Sequence, residues 1–178
     1  MSKSTKRVAF CGLLTALGVV LLTTGGLMFG LTYAAPLLAG ALLIPVREEH
    51  GTPAALMTWA ATAILGLILC GDKEAAFFYL FLGHYPVVKP AIDRLKPRAL
   101  RIAAKTGLFA CLTLAMYGIL FLVFPAAAGG EEFFGAGTLL IVGFFIAMVL
   151  LLLLCDLVYG RAEGVYRKKL RPLLKNLL

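Results

Sequence analysis

VAFCGLLTALGVVLLTTGGLMFGLTYAAPLLAGALLIPV, residues 8–46, contains no charged side chain. A helix crossing a bilayer takes roughly 20 apolar residues, so this stretch has room for two. Gly25-Gly26 and Gly30 loosen the backbone near its middle, and Tyr33 opens the second half. The reading is two spans, about 8–28 and 33–46. Pro36 falls near the start of the second, where a helix tolerates proline. Lys3, Lys6 and Arg7 ahead of an apolar run also fit a secretory signal. A signal's apolar region is only about 7–15 residues long, so the expectation is an uncleaved first span.

Composition agrees with that stretch. Of 178 residues, 61% are hydrophobic and 15% charged, against about 45–50% and 25% in soluble domains. A soluble core of this size would not hide so many leucines and phenylalanines. Arg47, Glu48, Glu49 and His50 end the second span, and Gly51 and Pro53 make a turn. Further spans are read at about 54–70, 75–88, 102–124 and 138–159, the fourth being short, aromatic and interrupted by Gly83 and Pro86. The stretch from Lys89 to Lys105 reads as an interfacial helix or elbow, and residues 161–178 as a basic tail. The predicted fold is all-α: one transmembrane domain over 1–178, a compact bundle of six helices.

Charge sets the orientation. With the N-terminus inside, six alternating spans place every Lys and Arg of the seventeen on the inner side except Lys73. Lys/Arg bias in short loops orients membrane proteins, so both termini are expected in the cytoplasm. The formal charge of +8 then belongs to membrane flanks and not to a nucleic-acid surface. Anionic lipid is the expected partner of the basic inner segments, with a cytoplasmic protein as the sharper alternative for the tail.

Catalytic patterns are missing. Serine occurs only at Ser2 and Ser4, His50 and His84 fall in different segments, and neither H-E-x-x-H nor a phosphate-binding loop is present. The four cysteines, Cys11, Cys70, Cys111 and Cys155, form no C-x-x-C pair and read as packing residues. No enzyme activity, metal or cofactor is expected. Asp72-Lys73-Glu74, before Phe77, Phe78 and Tyr79, has two readings: acids favouring a helix N-terminus, or a polar lip over an aromatic pocket. Tyr33 can join this lip, and Glu131, with Glu132, Phe133 and Phe134, repeats the acid-plus-aromatic pairing. His84, Tyr85 and Asp156 read as polar groups facing protein or a cavity. Gly12 and Ala16, four apart, let another helix approach closely, either from this chain or from a partner.

The Lys/Arg start, the helix Thr5-Lys6-Arg7-Val8-Ala9-Phe10-Cys11-Gly12-Leu13-Leu14-Thr15-Ala16-Leu17 and six compact spans resemble the substrate-binding S component of energy-coupling factor (ECF) transporters. Those proteins import vitamins and related micronutrients across the prokaryotic cytoplasmic membrane. The resemblance implies a ligand pocket near the outer face, for which Tyr33, Asp72, Lys73, Glu74, Phe78, Tyr79 and Glu131 are the candidates. It also implies that a small-residue patch, here Gly12 and Ala16, docks a transmembrane coupling subunit while separate ATPase subunits supply the energy. The family pattern has alanine at both positions, and Gly12 departs from it. Two other functions remain open: a scaffold or sensor acting through basic cytoplasmic surfaces, and a homo-oligomeric channel or transporter.

Overall fold

The computed structural model describes residues 3–25, 31–123 and 138–174. These residues are helical, with no strand among them. In chain order the helices are α1 (Lys3–Gly25), α2 (Ala34–Ala41), α3 (Leu43–Leu69), α4 (Lys73–Leu82), α5 (Tyr85–Asp93), α6 (Arg98–Val123) and α7 (Thr138–Val165). The last, 28 residues long, continues through a π-helical turn, Tyr166–Leu170, into α8 (Arg171–Leu174). Four segments are long and apolar enough to cross a membrane: Ser4–Gly25, Leu43–Leu69, Arg98–Val123 and Thr138–Lys169. The chain is a membrane protein.

The remaining apolar stretches are helical in shorter pieces. The expected span 33–46 appears as α2 and the start of α3, joined through Leu42. Helical bonding then continues past Val46 through the charged Arg47–His50 segment. The continuous run breaks at Gly51, whose φ of 84° is left-handed and open to glycine at no steric cost. Pro53 then lies in the first turn of the resumed helix, where a missing N–H is harmless. The expected span 75–88 is likewise two helices, α4 and α5, separated at Gly83 and His84.

Two compact units partition the described residues, the first within Met1–Val87 and from Asp156 onward, the second within Val88–Cys155. In the first unit α1 and α3 run side by side in the same direction. Phe10 meets His50, Gly18 faces Thr62, and Leu22 faces Gly66. Leu43, Val46, Ala54, Ala55 and Val87 are buried together, and Phe10, Cys11, Leu14 and Trp59 pack on them. A second cluster holds Leu22, Ala39, Ala63 and Tyr79. Backbones approach closely where α2 meets the α4–α5 break. A Cβ on Gly40 would sit 3.1 Å from the Gly83 carbonyl oxygen and 3.1 Å from the Tyr159 hydroxyl. Small residues permit such contacts between membrane helices.

The second unit is organised by aromatic packing and one ionic cluster. Tyr117 of α6 stands edge-on to Phe144 and Phe145 of α7, with ring centroids 5.3 and 5.9 Å away. The carboxylate of Asp93, ending α5, receives Lys89 at 2.9 Å and Lys105 at 2.6 Å. Both lysines are buried. Burial pushes the Asp93 pKa up, but the hydrogen bonds and charges of Lys105 and Lys89 outweigh it and hold the carboxyl below its ordinary value.

Two outcomes follow from this packing. Gly40→Leu should destabilise the fold by about 2 kcal/mol through overpacking, while Gly12→Leu should not, because nothing lies within 4 Å of a Cβ there. Thermal unfolding in detergent checks both. The depressed Asp93 pKa contributes stability above the unfolded carboxylate value of about 3.9, and that stability is lost as pH falls through the lower folded value. Melting temperature should therefore drop more steeply below about pH 4 in the wild type than in Asp93→Asn. Parallel curves would refute the linkage.

Candidate functional site

At the end of the first unit where α1 finishes, helix α4 is started by its own charged residues. Asp72 has extended backbone (φ −81°, ψ 101°), and its carboxylate accepts the Ala75 amide at 3.1 Å. This is an N-cap. Lys73 reaches backward, donating to the carbonyl oxygens of Leu67 at 3.0 Å and Cys70 at 2.9 Å. Those carbonyls lie at the end of α3, where helical partners run out. Asp72 and Lys73 thus join two helix ends through backbone groups.

Glu74 behaves differently. It accepts a hydrogen bond of 2.6 Å from the Tyr33 hydroxyl, across 41 residues of sequence. The Tyr33 ring lies 5.4 Å from that of Phe78 and is tilted by 59°. Phe78 is itself buried and backs the Tyr33 ring, so the half-buried Glu74 carboxylate and Tyr33 ring are the groups suited to hydrogen-bonding and stacking on a small ligand. Tyr79 points into the core with Leu22, Ala39 and Ala63, and its carbonyl accepts the Trp59 indole N–H at 3.3 Å. Of the sequence-derived candidates, Tyr33, Glu74 and Phe78 converge, Asp72 and Lys73 hold helix ends, and Tyr79 is core. Glu131 lies outside the described residues.

Gly12 and Ala16 line an open groove of about 560 Å³ along α1 and α3, together with Arg7, Cys11, Thr58 and Ala61. The groove exists because the facing side chains are small. Deeper in the unit, Tyr85 donates to the Asp156 carboxylate at 2.6 Å. The Tyr159 hydroxyl donates to the Leu37 carbonyl at 2.8 Å. The His84 ring is tilted by 59° to that of Trp59, with centroids 5.2 Å apart. His84 Nδ1 and His50 Nε2 are buried without a hydrogen-bond partner among the described residues. No group of three His, Cys, Asp or Glu side chains among those residues forms a metal site.

The opposite end of the same unit carries an ionic ladder that the sequence reading missed. Pro90 has no N–H, so the carbonyl of Pro86, four residues earlier, loses its helical donor. Arg47 supplies one, at 2.5 Å. Its guanidinium also pairs with Glu48 at 2.8 Å and with Glu163 of α7. Arg167 holds both oxygens of Glu48, at 3.1 and 2.9 Å. Arg171 and Tyr166 meet Glu49, each at 3.2 Å. Glu163, Arg167 and Arg171 recur every fourth residue, a spacing that lines one helical face. That spacing, opposite Arg47-Glu48-Glu49, was the available signal.

No protein-family model matches the chain, and no curated protein or solved structure matches it either.

The ladder is uneven in strength. Arg47 is buried, and removing it leaves Glu163 and the Pro86 carbonyl unsatisfied. Arg47→Ala should cost about 3 kcal/mol, whereas Arg171→Ala, at a half-exposed side chain, should cost under about 1 kcal/mol. Unfolding midpoints of both variants in detergent check the order, and equal midpoints would refute it.

Proposed function

We propose that this protein is the membrane-embedded substrate-capture subunit of an ECF-type importer for a vitamin-like micronutrient. In this reading it sits in a prokaryotic cytoplasmic membrane with six passes and both termini inside. The passes are α1, then α2 with α3 up to Gly51, the rest of α3, α4 with α5 as far as Val88, α6, and α7. The distribution of Lys and Arg supports the orientation. It puts the Tyr33–Glu74–Phe78 cluster toward the outside and the ionic ladder toward the cytoplasm.

The open groove at Gly12 and Ala16 carries this reading. A helix face with two small residues four apart and no side chain over it allows another membrane helix to approach backbone to backbone. The transmembrane coupling subunit would use that face, and ATPase subunits bound to it would provide the energy that this chain has no motif to supply. Glu74 would orient the ligand, with Tyr33 stacking on it and the buried Phe78 fixing the Tyr33 ring from behind. The lower dielectric of a partly enclosed site strengthens such a charge contact.

Gly12→Trp and Ala16→Trp should abolish uptake in cells while leaving ligand binding to the isolated protein intact. Glu74→Gln should weaken binding by about tenfold or more, the size of a lost charged hydrogen bond, with little change in melting temperature. Asp72→Ala should instead lower the melting temperature. Wild-type uptake by both tryptophan variants would remove the docking face. Uptake by the purified chain alone in liposomes would reassign the protein as a self-sufficient transporter.

A further inference from the structure

The turn between α5 and α6 carries a run of cations in a stretch of sequence without acids. From Arg94 to Gly130 the sequence contains no acidic residue. Asp93, just before the turn, is already engaged by Lys89 and Lys105. Arg94, Lys96 and Arg98 are exposed. They have no ion-pair partner among the described residues. At the end of the chain, by contrast, Arg167 and Arg171 already have Glu48 and Glu49 as partners.

Apolar side chains are interleaved with these cations. Leu95, Leu100 and Ile102 are 39%, 50% and 58% exposed. Leu95 lies in the turn, whose Leu95 amide bonds to the Ile92 carbonyl at 3.0 Å, and Leu100 and Ile102 lie in the first turns of α6. α6 is long and apolar enough to cross a membrane, and a helix that does so has its first turns where hydrocarbon gives way to headgroups. An occupant of this surface must bring negative charge and hydrocarbon together. Free phosphate brings only the first.

We propose that residues 94–102 form an anchoring site for anionic phospholipid. Arg94, Lys96 and Arg98 hold the phosphate oxygens, the arginines through paired N–H donors. Leu95, Leu100 and Ile102 sit among the upper acyl carbons, as in an interfacial amphipathic segment. This site is independent of the capture function and does not require any ligand or partner protein.

The test uses the full chain purified in neutral detergent, titrated with phosphatidylglycerol and with phosphatidylcholine, and weighed by native mass spectrometry. Wild type should retain phosphatidylglycerol at least about fivefold over phosphatidylcholine, and the triple variant R94Q/K96Q/R98Q should bring that ratio close to one. The tail variant R167Q/R171Q, whose cations already face Glu48 and Glu49, should keep the preference within about twofold. Raising salt to about 1 M, where the Debye length is about 3 Å, should erase the preference in the wild type and so checks the site without substitution. Equal retention of the two lipids by the wild type overturns the proposal. So does an unchanged preference in the triple variant, or a loss as large in the tail variant. Displacement of phosphatidylglycerol by a soluble polyglutamate peptide would reassign the surface to an acidic protein, and also overturns it.

Discussion

A buried guanidinium has to be matched by acceptors, and one end of the first unit is arranged around that requirement. Arg47 is 9% exposed, and desolvating a charge costs several kcal/mol unless it is paired and hydrogen-bonded. Its acceptors come from three places: the Pro86 carbonyl left open by Pro90, its neighbour Glu48, and Glu163. One side chain thereby ties α3 to the broken α4–α5 segment and to α7. The helix continues through Arg47–His50, where the sequence pattern suggested an end, because these charges have partners on another helix.

The features legible in the sequence are the local ones. A charge-free run reads as membrane-crossing whatever its neighbours do, and a Gly-x-Pro at 51–53 reads as a bend because φ and the missing N–H are properties of those residues. Gly83 with Pro86 reads as an interruption for the same reason. Pairings across the chain were less legible. Arg47 and Glu163 are 116 residues apart, and Tyr33 meets Glu74 across 41. For the second, the sequence grouped Tyr33 with Asp72-Lys73-Glu74 as a candidate lip but singled out no partner for its hydroxyl. The first was missed because the tail was read for its net charge and not for the four-residue spacing of its charges.

Lys73 and Tyr79 show how residue type can mislead at a candidate site. A lysine in an acidic cluster suggests a ligand contact, yet a four-carbon stem lets it turn back to the last carbonyls of α3. Phe78 and Tyr79 are neighbours on α4, where successive side chains point about 100° apart. Phe78 meets Tyr33 while Tyr79 joins Leu22 and Ala63. Glycine is equally double-sided: Gly40 permits a close contact, and Gly12 leaves open space.

The length of α7 has its own consequence. Twenty-eight residues rise about 42 Å at 1.5 Å each, whereas bilayer hydrocarbon is about 30 Å thick. The surplus of about 12 Å acts as a mast standing clear of the oil, and just past its tip the half-exposed Arg167 and Arg171 put the outer rungs of the ladder within reach of dissolved ions. Ambient ionic strength thus becomes a setting that the aqueous phase can impose on a helix otherwise sealed in lipid.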